Sequence, residues 1–237
     1  MGALGYQNII GYNPSVSTTA STLWSGGATS YVQLTAGAAM EVVSASANDA
    51  AAGTGARTIR IQGLDGDYVP FSETITMNGI TAVPLVNTSV IAINKVTVLT
   101  AGSGLVNAGK IDVRVVSGAV VKASIQALVE SRGESADFVF TVPAGQSVLI
   151  KKIQIYARTS TGDLWTVLKT QSSTGIELVK ATGQKALDVT SFNSGQIVMD
   201  FGNGLYIPEK TLISLVVDVS AGTPLVSAIA DIERYLL

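Results

Sequence analysis

The chain contains no cysteine and no histidine. Without cysteine it has no disulfide framework and no thiolate metal site. Without histidine it lacks the commonest general acid–base group and a frequent metal ligand. Together these absences remove most catalytic triads and dyads and most zinc sites. Charge is also scarce, at 14% of 237 residues against roughly 25% in a typical soluble domain. Its 15 basic and 17 acidic residues leave a net charge of −2, and the basic ones are scattered, with Lys151-Lys152 the densest group. Nucleic-acid binding normally needs a clustered basic stripe to neutralise phosphates, so none is expected. Long apolar runs are missing too, although 47% of residues are hydrophobic. The runs 90–93 and 215–217 are cut by Asn94 and Asp218, far short of the roughly 20 residues of a membrane-spanning helix. The start of the chain shows no basic segment followed by an apolar stretch, and Tyr6 stands where a myristoylation signal needs Ser or Thr. Asn87-Thr88-Ser89 fits a glycosylation sequon, which without a secretory signal is expected to be chance.

What is present is alternation. The stretches 58–62 (TIRIQ), 74–77 (TITM), 95–98 (KVTV) and 112–115 (DVRV) place apolar residues at every second position, with Ile59 and Ile61 inward. The second half repeats the style over 137–142, 148–156, 165–169, 176–179, 196–201, 212–219 and 225–236. Glycine, asparagine and proline punctuate these stretches at 64–67, 78–79, 101–104, 143–145, 161–163, 202–204 and 220–224, as tight turns require. Short strands at this spacing predict an all-β sandwich or barrel architecture. Residues 44–56 read as a long loop. Residues 123–134 read as a short helix or strand followed by a polar turn.

The expected organisation is an extended N-terminal arm over 1–30, a first β-sandwich over 31–122, a connector over 123–135 and a second β-sandwich over 136–237. The fold class is all-β, with two tandem antiparallel, jelly-roll-like sandwiches; one larger interleaved sandwich stays open. The arm is interrupted by Gly2, Gly5, Gly11, Pro14, Gly26 and Gly27, yet carries Tyr6, Ile9, Ile10, Tyr12, Leu23 and Trp24. A solvated tail seldom holds so many large apolar groups. Docking on the chain's own core and docking on a neighbour are both open. The C-terminal Tyr235, Leu236 and Leu237 form a second apolar candidate for partner contact.

Candidate chemistry is thin. The segment 53–58 (GTGART) lacks the lysine of a phosphate loop, and Gly102-Ser103-Gly104 has Asn107 where a dinucleotide fingerprint needs its third glycine. Asp65 and Asp67 are the best carboxylate pair, with Asp49 and Glu73 near in sequence. A calcium site needs six or more oxygen ligands, so an Asp-Gly turn with a second solvated acid is the expectation here. Glycosidic chemistry would want paired acids in a cleft with aromatic platforms. The acids are dispersed, and Trp165 lies inside an apparent strand, where a core position is expected. No catalytic, cofactor-binding or metal residue is assigned, and no enzyme activity is expected.

Two sets of residues carry a family resemblance. In the first half, 53–68 (GTGARTIRIQGLDGDY) runs into 72–79 (SETITMNG), then INK at 93–95, AGSG at 101–104 and NAGKI at 107–111. In the second half, 140–146 (FTVPAGQ), 205–211 (LYIPEKT) and VSA at 226–228 follow in order. The order resembles virion structural proteins of tailed, largely marine bacteriophages, over about residues 45–237. Each motif alone is mostly turn chemistry; the succession carries the likeness. The resemblance implies a virion component made in the host cytoplasm, a capsid shell or decoration subunit. Its implied partners are further copies of itself and other virion proteins, and such sandwiches often assemble as trimers. A tail-associated or host-recognition module that binds carbohydrate is the alternative.

Overall fold

Successive side chains of a strand point to opposite faces, so a chain written in alternation buries one face of each strand and leaves the other for water or a partner. The computed structural model describes residues 3–26, 30–116, 120–127, 133–158, 164–172, 175–179 and 195–237, and among these residues it contains sixteen strands and no helix. The strands are β1 (Ala3–Asn13), β2 (Ser21–Thr22), β3 (Met40–Ser44), β4 (Ala56–Asp65), β5 (Pro70–Thr76), β6 (Val83–Pro84), β7 (Val90–Ala101) and β8 (Ile111–Val115). They continue as β9 (Val121–Ile125), β10 (Val139–Thr141), β11 (Gln146–Arg158), β12 (Leu164–Ser172), β13 (Gly175–Val179), β14 (Gly195–Ile207), β15 (Leu212–Val219) and β16 (Leu225–Leu236). Every strand pairing is antiparallel.

The chain divides into two compact units, one made of Met1–Val32 with Asp137–Leu237, the other of Gln33–Ala136. In the first unit, one sheet has the order β1-β16-β11-β14 and the other β10-β15-β12-β13, with β2 paired to β15. Both sheets feed a single apolar cluster: Ile9, Ile153, Ile155, Ala228, Ala230 and Ile232 from the first, Phe140, Leu164, Leu168, Leu215 and Val217 from the second. Strand β11 shows how the register is kept. Its inward residues are Val148 and Ile150, then Ile153, Ile155 and Ala157, a switch of parity that a bulge between Ile150 and Lys152 absorbs.

The second unit has sheets β6-β3-β8-β9 and β5-β4-β7 around their own cluster, which includes Met40, Val42, Ile59, Ile61, Val96, Ile111 and Ile125. Asp49 pins its loops. The buried carboxylate accepts hydrogen bonds from the Ser44 hydroxyl and from the backbone N–H groups of Ala56 (2.7 Å), Ala108 (2.7 Å) and Gly109 (2.9 Å). The 44–56 loop is thereby fastened to the turn before β8, and charge-assisted bonds of this kind are the strong ones.

The structure decides or corrects several sequence expectations about organisation. The segment 1–30 is part of the first unit rather than a separate arm, docked on the chain's own core as one of the two open alternatives had it: Ala3–Asn13 pairs with β16 along its length, from Ala3↔Tyr235 to Asn13↔Val226. The units are nested rather than tandem, because that pairing draws the N-terminus to strands formed by the last residues of the chain, and 33–136 is an insertion between them. Residues 121–125 form a strand paired with β8, the strand alternative for the start of 123–134, and this strand runs across the boundary expected between 122 and 123. The glycines at 202 and 204, expected as a turn, lie within β14, where φ values of 57° and 105° let the strand pass an irregularity in its pairing with β11. The turn expected at 161–163 and residues 128–132 of the 123–134 stretch fall outside the described residues.

Candidate interaction surface

Asp65 Oδ1 accepts from the N–H groups of Asp67 (3.0 Å) and Val69 (2.9 Å), closing the β4–β5 turn in which Tyr68 takes a φ of 64°. Glu73 accepts from Val86 N (2.8 Å) and Asn87 N (2.7 Å), and Glu209 accepts from Gly145 N (2.6 Å). Asp49 is occupied as described above. Each of these carboxylates is spent on holding backbone, and among the described residues no group of three or more acids is placed to hold a metal ion. Nor is there, among them, a helix long and apolar enough to cross a membrane.

The quoted second-half motifs meet at one end of the first unit. Val142 N donates to Thr211 O (3.0 Å), Lys210 N to Val142 O (2.8 Å) and Leu237 N to Gly145 O (3.0 Å). The Pro143-Ala144-Gly145 and Pro208-Glu209-Lys210 turns therefore lock each other, with Gly145 and Lys210 both at positive φ. Their role is structural.

The remaining candidates are the partner-contact residues, and the structure sorts them. Leu23 and Ile9 are buried in the core, and Trp24 is buried with its ring edge-on to Tyr31 at 5.5 Å. These three serve the chain's own unit. Tyr6 is 80% exposed, Ile10 40%, and Leu236 and Leu237 are exposed, whereas Tyr12 and Tyr235 are half-buried.

Register places Tyr6, Ile10 and Tyr12 in rows across the outer face of the β1-β16-β11-β14 sheet. Tyr12, Ser227, Tyr156 and Gln196 form one row; Ile10, Ile229, Gln154 and Val198 the next. Then come Asn8, Asp231, Lys152 and Asp200, and finally Tyr6, Glu233, Leu149 and Tyr206. The face is mixed: tyrosines and aliphatics stand in rows on either side of a charged one. Sequence reading missed Tyr156, Val198 and Tyr206. Their alternate positions signal an outward face, but the β11 bulge breaks the parity that would have tied them together.

Electrostatics at the C-terminal end follow from the same register. Glu233 lies opposite Tyr6, and Lys151 Nζ sits 3.6 Å from its carboxylate. A hydrogen bond to Glu233 holds the Tyr235 phenol protonated, pushing its pKa up to about 12. Burial lowers the pKa of Arg234, whose guanidinium donates to Gln146 Oε1 (2.8 Å) and Gln7 Oε1 (3.3 Å), tying three strands together.

On the other sheet, Trp165 points outward and is 37% exposed, contrary to the expected core position, because Leu164 and Leu168 occupy the inward positions of β12. It stands opposite Asp218, whose pKa burial raises. A broad depression of about 350 Å³ is lined by Tyr156, Ala157, Arg158, Gly195, Gln196 and Leu225, and contains no acid.

No protein-family model matches the chain, and no curated protein matches it. Among solved structures, the "Structure of infectious bursal disease virus Gx strain" overlaps 99% of this chain and 72% of that one, at 9% identity and a TM-score of 0.26. The Gt strain of the same virus overlaps 97% and 72%, at 12% identity and a TM-score of 0.24. The VP2 subviral particle of infectious bursal disease virus overlaps 100% and 78%, at 10% identity and a TM-score of 0.22. Superpositions this loose do not establish a shared fold.

Proposed function

We propose that this chain is a non-enzymatic structural subunit of a virus particle, a bacteriophage capsid shell or capsid-decoration protein that associates with copies of itself and with other virion proteins. The observation that carries the reading is strand order. Counted along the chain, the first unit's eight main strands are β1, β10, β11, β12, β13, β14, β15 and β16. Their sheets then have the orders 1-8-3-6 and 2-7-4-5. These orders support reading the unit as a jelly roll, two Greek keys wrapped together, an architecture of viral capsid and lectin domains. The inserted unit is read as a second, smaller sandwich of seven strands. Tyr6, Ile10, Tyr12, Tyr235, Leu236 and Leu237 remain as contacts for neighbours, and a surface low in charge suits burial against them.

The test is the assembly state of the purified full chain, by light scattering and negative-stain electron microscopy. Discrete assemblies of uniform size are expected. Persistent monomers at all concentrations, or turnover of a substrate, would contradict the reading. Exposed Trp165 favours one rival, a carbohydrate-binding module on a tail or host-recognition appendage, which a glycan array distinguishes directly.

A further inference from the structure

Among the described strands, every sheet edge but one carries a device that discourages strand addition. β2 and β6 are two residues long, and β6 contains Pro84; β10 has three residues. β5 contains Pro70 and Glu73, β9 contains Lys122, and β13 contains Glu177. β7 contains Lys95, and its backbone is already bonded through Val98 N to Gly133 O and through Val96 O to Ser135 N. β14 contains Asp200 and is interrupted by the positive φ of Gly202 and Gly204. β1 differs from all of these. Its sequence, ALGYQNIIGYN, has no charge and no proline over 11 residues, and its irregularity, a register shift with Gly5 at a φ of 119°, is confined to Ala3–Gly5 and leaves Tyr6–Asn13 in unbroken register. Long uncharged edges recruit other strands, and natural proteins ordinarily block them.

The same segment is complementary to itself. Pairing β1 antiparallel with a second β1 about Asn8 sets Gln7 opposite Ile9, Tyr6 opposite Ile10 and Gly5 opposite Gly11. Tyr6, Asn8 and Ile10 share the outward face in each copy, so faces stay in register. Aromatic residues opposite β-branched ones are favourable cross-strand pairs. A two-fold contact must match a surface with itself, and the residue on the axis meets its own copy. Asn8 is neutral, and its amide can both donate and accept there.

We infer that β1 is a dimerisation edge. Two copies join β1 to β1, antiparallel about a two-fold axis at Asn8, and their four-stranded sheets become one sheet of eight strands. The occupant is a second copy because the match is symmetric, which a foreign strand would not require. This deepens the proposed function and rests on its self-association, though not on the kind of particle formed.

The experiment is sedimentation of the full-length chain as wild type, Asn8→Lys and Asn8→Asp, each alone and the two variants mixed. Asn8 is exposed, so either charge is compatible with the isolated unit. Each variant alone should lose the two-fold contact by repulsion at the axis, and mixing them should restore it as a heterodimer. Both variants associating as wild type does, or a mixture that stays dissociated, overturns the inference. Association that survives Asn8→Lys but is lost in Tyr156→Lys assigns the contact to the outer sheet face and overturns the edge pairing alone. A wild-type chain that is monomeric throughout overturns both the edge and the self-association reading.

Discussion

The Tyr235 phenol and the Glu233 carboxylate form a pair whose titration is open to measurement. With its pKa raised to about 12 by that hydrogen bond, Tyr235 stabilises the fold at every pH below its ordinary value near 10 and loses that contribution as pH climbs through about 12. Site-resolved NMR of the tyrosine rings should therefore show Tyr235 ionising well above its ordinary value near 10. Glu233→Gln should bring it back toward the ordinary range. Asp49 offers a larger effect. In Asp49→Ala the Ser44 hydroxyl and the N–H groups of Ala56, Ala108 and Gly109 lose their acceptor inside the protein. Leaving buried donors unsatisfied costs about 1–3 kcal/mol for each, less whatever water can recover. A loss of at least about 3 kcal/mol in urea unfolding is expected, and a change under about 1 kcal/mol would contradict the assigned role.

Among the elements, β1 is both core and edge, and the proposed self-association turns on it. Its inward side needs Gly11: a Cβ there would stand 2.5 Å from Phe138 Cβ and 3.0 Å from a Leu23 methyl. Gly11→Ala should destabilise the first unit by roughly 1–3 kcal/mol, the usual cost of overpacking. Thermal unfolding followed by tryptophan fluorescence checks this, since Trp24 and Trp165 both belong to that unit. The substitution separates docking of β1 on its own chain from docking on a neighbour, because Phe138 and Leu23 are buried partners within the unit. The turns 143–145 and 208–210 make a second lesson. They were legible as turns from proline and glycine, but their mutual bonding joins residues 64 positions apart in the chain, which no local pattern encodes.

For the whole molecule, nesting changes what truncation means. Deleting residues 1–28 removes β1 and takes Ile9, Val16 and Leu23 out of the core. The first unit is then expected to unfold, so such a deletion cannot isolate assembly from folding. The inserted unit has its own cluster and its own sheets. A fragment of residues 33–136 should fold cooperatively alone, read by dispersed amide NMR signals and a single urea transition. A fragment that remains unfolded would show that its core is insufficient.

Composition and alternation by themselves determined that this is an all-β chain with little scope for histidine or cysteine chemistry. They located most strands and placed Ile59 and Ile61 inside, because side-chain period and turn residues are local properties. The 1–30 segment shows the limit: its apolar residues announced a need for cover without naming the cover. Only the tertiary structure decided that Ile9 and Leu23 face inward while Tyr6 and Ile10 face out, that β1 lies against β16, and that residues 33–136 interrupt a unit closed by the two ends of the chain. The physical reason is that strand partners are chosen by long-range register and shared burial, neither of which is written at any single stretch of residues.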